Sequence, residues 1–214
     1  MWETPEIILD DLVKRRPELL ACKQSINEAY LVLLDTVQNG GTIFTCGNGG
    51  SAADAEHIVG ELLKGFMKGR KLGKADIEAI EKQYPGEGER ISKSLQKTIR
   101  AVSLTSHIAL ITAFMNDVDP AFVFAQQLMG LGKPNDTLIA ISTSGNSENI
   151  LNACKIAKVN QIKVIGLTGA TGGKLVNHCN VSIRAPEKAV PLIQELHLPI
   201  YHALCAMLEV KLYS

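Results

Sequence analysis

Two short stretches hold the residue types that grip a phosphate. In the first, Gly47-Asn48-Gly49-Gly50-Ser51 follows the apolar run 41–46 and leads into a helix-like segment over 52–66. Strand, glycine turn, helix is the geometry of an anion cradle. The first amides of a helix lack partners within it, and its dipole favours negative charge there. Glycines let the backbone approach an oxyanion closely. No lysine follows these glycines, so the GxxxxGK(S/T) nucleotide loop is excluded, and the spacing is not GxGxxG either. In the second stretch, Ser142-Thr143-Ser144-Gly145-Asn146-Ser147 ends the apolar run 136–142 and precedes a helix-like segment over 148–159. Ser142, Thr143, Ser144 and Ser147 place hydroxyls around one turn, which with backbone amides form an uncharged phosphate clamp. Helix capping accounts for Ser144 or Ser147 but not for all of them.

Elements that alternate between strand and helix must position these turns. Apolar runs at 42–46, 101–104, 137–142, 163–168 and 181–185 predict five strands. They are apolar almost throughout, as strands of a parallel sheet covered on both faces are. The expected fold is therefore α/β, an open, mainly five-stranded parallel sheet with helices on both faces and right-handed crossovers. Both turns follow strands, so both fall at the carboxyl edge, where such sheets bind ligands. Residues 1–38 predict a helical segment with a stripe of Ile26, Ala29, Tyr30, Leu33, Leu34 and Val37, interrupted near Pro17 and ended by Asn39-Gly40-Gly41. That stripe exceeds what one sheet needs and is expected to bury against another subunit. Residues 67–99 are poor in apolar residues and predict an insertion with one or two short helices. The basic stretch 64–74 is expected to be a solvated surface.

Composition narrows the function. The 214 residues suit one domain, 1–214, and Lys+Arg and Asp+Glu are both 22, which argues against a nucleic-acid partner. No run of 18 apolar residues is present, so no membrane partner is expected. The N-terminus lacks the basic start and apolar centre of a secretion signal. Cys22, Cys46, Cys154, Cys179 and Cys205 show neither metal nor disulfide spacing and read as free thiols of a cytoplasmic protein. Cys46 adjoins the glycine turn but ends a buried strand, so a catalytic role is not assigned to it.

With these motifs placed, the chain resembles the sugar isomerase (SIS) family and, within it, the phosphoheptose isomerases. The likeness rests on 46–51, on 141–147, on Leu167-Thr168-Gly169 with Gly172-Gly173, and on Ile193-Gln194-Glu195-Leu196-His197. It implies an aldose–ketose isomerase of a phosphorylated sugar, interconverting sedoheptulose 7-phosphate and D-glycero-D-manno-heptose 7-phosphate through an enediol. It implies substrate contacts at Asn48, Gly49, Gly50, Asn116, Asp117, Ser142, Thr143, Ser144, Ser147 and Gln194, beside Ser51 of the same turn. It implies Glu61 and His202 as the acid/base pair, with either in either role. It implies zinc held by His57, Glu61, Gln194 and His202, and a homotetramer with sites between subunits. The residues agree in type and spacing. His57 and Glu61, four apart, share a helix face, and Gln194 and His202, eight apart, lie close to one stripe. A carboxylate and two imidazoles suit Zn²⁺. Apolar Val59, Leu62 and Leu63 beside Glu61 predict partial burial and a raised pKa. His197 is expected to be a satisfied core residue. Three departures from the family pattern are Gly60, where an acidic residue is usual, Pro191, where an Asp is usual, and Pro199, which removes a helix hydrogen bond and predicts a kink. The alternative is a non-catalytic SIS protein that binds sugar phosphates or regulates replication; retention of Glu61 and His202 argues against it.

Overall fold

The computed structural model describes residues 2–213. Helix α1 (Pro5–Arg15) starts at a Thr4 cap with proline in its first turn, where the missing N–H costs nothing. Pro17 then forces a short 3₁₀ turn before α2 (Lys23–Gln38), the interruption expected of it. The chain continues as β1 (Ile43–Cys46), α3 (Gly50–Leu63), α4 (Lys74–Gln83), α5 (Gly88–Ser94) and β2 (Ala101–Ser103). It ends as α6 (Ile108–Asp117), α7 (Val123–Leu131), β3 (Thr137–Ile141), α8 (Glu148–Val159), β4 (Lys163–Thr168), β5 (Val181–Arg184) and α9 (Val190–Leu212).

The five strands form one parallel sheet in the order β2-β1-β3-β4-β5. Alternate residues of each strand feed opposite layers, as the period of two dictates. Ile43, Ile139, Ile141, Ile165, Leu167 and Ile183 pack with α1, α2, α3 and α9. Phe44, Cys46, Leu138, Ala140 and Val164 pack with α7 and α8. The chain runs outward from β1 to β2, then returns to place β3 on the other flank of β1. The switch point therefore lies between β1 and β3, and their carboxyl ends carry the two phosphate-type turns.

Three expectations change here. The apolar stripe of 1–38 is covered by α9 and the sheet of its own chain: Ile8, Leu12, Ile26, Leu33 and their neighbours belong to the core. The uncovered apolar helix is instead α6, rich in Ile, Leu, Phe and Met yet without one buried residue. The basic stretch 64–74 is not all solvated, because Arg70 is fully buried against Glu209 of α9. Finally, α9 runs through Pro199 without a break, its flanking turns held by core contacts of Leu196, Ile200 and Leu204. The insertion does contain two short helices, α4 and α5, neither with a large buried side chain.

Candidate active site

Strand β1 delivers the chain into the first turn, and α3 starts at Gly50 after Gly49 at φ +56°. Only glycine holds that left-handed conformation without strain. No side chain caps α3, so its start is open to an external anion. At Gly50 the reason for glycine differs: a side chain there would collide with the Gln194 amide. That close approach brings α9 to the rim of the turn.

Strand β3 delivers the second turn. Ser142 and Ser147 hydroxyls lie 3.1 Å apart. The Ser144 hydroxyl accepts from the Asn146 amide at 3.1 Å. Ser147 stands at the N-cap of α8, yet its hydroxyl makes no capping bond, so capping does not consume it. The turn rests on the loop after β4, where the amides of Gly169 and Leu175 donate to the carbonyls of Thr143 and Gly145 at 3.0 and 2.9 Å. A reciprocal amide pair ties the two turns together. Asn48 and Asn149 exchange hydrogen bonds of 2.9 Å in both directions.

About two turns into α3, His57 Nε2 lies 3.1 Å from Glu61 Oε1, and Lys64 Nζ lies 2.9 Å from Glu61 Oε2. The Glu61 side chain is only 13% exposed. Burial pushes its pKa up, but Lys64 and His57 outweigh that and hold the carboxyl below its ordinary value. The expected rise therefore does not occur, because the Lys64 ammonium and the His57 ring stand against the carboxylate. The His202 ring stands edge-on to His57, 5.0 Å between centroids, and under the Phe66 ring at 5.3 Å. Burial first, then His57, lowers its pKa, with Glu61 opposing. Its Nε2 is buried and has no hydrogen-bond partner. Behind His57, Tyr201 contacts both His57 Nδ1 at 3.0 Å and Asp54 Oδ1 at 3.2 Å.

Asn48, Gly49, Gly50, Ser51, Ser142, Thr143, Ser144 and Ser147 thus sit on the two linked turns. Gln194 joins them from α9, and His57, Glu61 and His202 form a cluster beyond. Asn116 and Asp117 end α6 exposed, with the Asn116 amide donating to Asp117 at 2.8 Å. Asn149, Tyr201 and Asp54 touch the candidate site residues and were not singled out by the sequence. The departures are accommodated: Gly60 faces open space, and Pro191 lies in the first turn of α9. His197 is a core residue, its Nε2 3.3 Å from the Thr168 carbonyl, its Nδ1 buried without a partner, and burial brings its pKa to about 4. All five cysteines are free, and burial pushes the Cys46 thiol up to about 12, which rules it out as a ready nucleophile.

A family model described as the SIS domain matches residues 97–210, and a second with the same description matches 14–97. The single sheet takes strands from both matched segments. The phosphoheptose isomerase of Rhodospirillum rubrum is 37% identical over 193 residues, covering 90% of this chain and 89% of that one. The chain belongs to the phosphoheptose isomerase family. A second phosphoheptose isomerase, from Aneurinibacillus thermoaerophilus, is 38% identical over 88% of this chain and 82% of its own length. Two solved phosphoheptose isomerases share the fold. That of Francisella tularensis has TM-score 0.74 at 33% identity, over 91% of this chain and 90% of its own. That of Neisseria gonorrhoeae has TM-score 0.72 at 30% identity, over 93% and 94%. Membership in the phosphoheptose isomerase family makes the chain a sugar-phosphate isomerase. Among the described residues no helix is long and apolar enough to cross a membrane.

Proposed function

We propose that the chain interconverts sedoheptulose 7-phosphate and D-glycero-D-manno-heptose 7-phosphate. The observation that carries this reading is the convergence of Glu61, His57 and His202 beside two phosphate-type turns locked together by Asn48 and Asn149. The phosphate lies between the α3 start and the hydroxyls of Ser142, Thr143, Ser144 and Ser147. The C1–C2 end reaches Glu61 and His202. Glu61, with its pKa held down, is ionised near neutral pH and takes the proton from the carbon beside the carbonyl. His202, neutral because burial lowers its pKa, can both accept and donate, and moves a proton between the two oxygens of the enediol. The Glu61 proton returns to the other carbon, so no net proton is consumed.

The same cluster supports zinc as a cofactor. His57, Glu61, Gln194 and His202 offer an N/O donor set, and the orphaned His202 Nε2 is a ligand atom without a partner. Among the described residues three or more His, Cys, Asp or Glu side chains do not yet close around one point. Lys64 holds Oε2 of Glu61, which leaves Oε1, the oxygen beside His57 Nε2, for an ion. Bound there, zinc would polarise the sugar carbonyl. Assembly belongs to the same reading. The uncovered α6 suits a second copy of the chain, in a homotetramer in which Asn116 and Asp117 complete a neighbour's site. The cytoplasm, where free thiols persist, is the proposed location.

The test is incubation with sedoheptulose 7-phosphate followed by NMR of the anomeric protons. Appearance of aldoheptose signals that Glu61→Gln abolishes supports the reading. Binding without turnover in the native chain would place it among the non-catalytic SIS proteins.

A further inference from the structure

The hydrogen bonds behind His57 leave it little choice of tautomer. Tyr201 is 2% exposed, so no bulk water competes for its hydroxyl. A phenol has one proton to give. That proton goes to Asp54 Oδ1 at 3.2 Å, since an ionised carboxylate can only accept. The phenol oxygen, 3.0 Å from His57 Nδ1, must then accept from an Nδ1–H. A neutral ring protonated on Nδ1 carries its lone pair on Nε2. That atom faces Glu61 Oε1 at 3.1 Å, another acceptor. In a doubly protonated ring Nε2 donates to Glu61; in the neutral Nδ1–H ring the two acceptors face each other and leave a place for a positive centre beside them. The His57 side chain is 41% exposed, so hydrogen bonds rather than packing set its ring.

We propose that Tyr201 and Asp54 are positioning residues that hold His57 as its Nδ1–H tautomer and present the Nε2 lone pair to the Glu61–His202 cluster. The pair acts through His57 and touches no reacting atom. The inference extends the isomerase and zinc reading, giving the cluster a second layer that fixes which nitrogen is offered to a cation.

Metal-free protein labelled with ¹⁵N-histidine decides the matter at mildly alkaline pH, where imidazoles are neutral and carboxylates ionised. Long-range ¹H–¹⁵N spectra of the native chain should show His57 Nε2 as an unprotonated nitrogen and Nδ1 as a protonated one. Tyr201→Phe, nearly the same shape, should move both signals toward the averaged values of a free imidazole. Asp54→Asn should move the ring proton toward Nε2, because the amide can donate to the phenol and free its proton for Nδ1. In a chelator competition, Tyr201→Phe should weaken zinc about 10–100-fold. A native spectrum with the proton on Nε2, or one that Tyr201→Phe leaves unchanged, overturns the inference. A native chain with the Nδ1–H tautomer but no zinc affinity upholds the inference and removes the zinc reading instead.

Discussion

Glu61 stands under opposed influences. Burial raises its pKa, Lys64 and His57 lower it, and these two neighbours win. If it is the base, the acid limb of kcat/KM reports this group in the free enzyme and lies below the ordinary carboxylate range. Lys64→Met removes the leading cation while leaving burial in place, so that limb should move to higher pH. A pH profile of turnover checks this, and an unmoved limb would take Glu61 out of the rate expression. Asn149→Ala tests the bridge between the turns. It removes the two bonds to Asn48 and the one that Asn149 Oδ1 accepts from the Ile150 amide, each worth about 1 kcal/mol, so KM for the sugar phosphate should rise at least about fivefold and the melting temperature should fall by several degrees. The grouping of the candidate site residues was legible in sequence where spacing exposed it. His57 and Glu61 are one helical turn apart, and four hydroxyls crowd one strand end. Asn149 was not, since it looks like any first-turn helix residue and its partner lies 101 positions away. Tyr201 was not, because it falls among the apolar positions of α9 and reads as core.

The strands were legible because each is a short apolar run, and all five fall within a residue of their expected bounds at either end. Pairing between distant elements was not. Glu209 on α9 accepts from the amides of Phe66, Met67 and Lys68 at 2.8, 2.7 and 3.0 Å and from Arg70 Nε at 2.8 Å. Arg70 in turn donates to the carbonyls of Leu62 and Glu61, at 2.6 and 3.0 Å, and so caps the end of α3. In sequence Arg70 is one cation among several and Glu209 an acidic residue 139 positions on. Their joint effect is to fix the helix end that bears Glu61 and the loop that lays Phe66 over His202. Glu209→Gln would leave the Arg70 charge buried without its counter-ion, a change that costs about 3–5 kcal/mol. The urea midpoint should fall accordingly, and in the protein that remains folded kcat should fall more than KM rises. A midpoint within error of the native one would show that the guanidinium finds other compensation.

At the scale of the whole molecule, the described residues include one apolar helix, α6, that its own fold covers only in part, through Ile111 and Phe114. Ile108, Leu110 and Met115 of α6 are 72, 40 and 48% exposed, and Val118 and Phe122 just beyond it are 67 and 44% exposed. Large apolar side chains exposed together along one short segment suit an interface. Light scattering should therefore give a mass well above the 23.1 kDa of one chain, and Ile108→Asp with Leu110→Asp should reduce it toward that value. The consequence for turnover is sharper. Asn116 and Asp117 sit at the end of this helix and bond to one another rather than to the Glu61 cluster. If they serve a neighbour's site, a Glu61→Gln subunit and an Asn116→Ala subunit are each inactive alone but complementary. Unfolded together and refolded as mixed oligomers, they form some sites with Glu61 from one subunit and Asn116 from the other. Activity should then reappear in the mixture in proportion to those sites. If Asn116 instead completes the site of its own chain, every site in the mixture lacks one of the two side chains, and mixing recovers nothing.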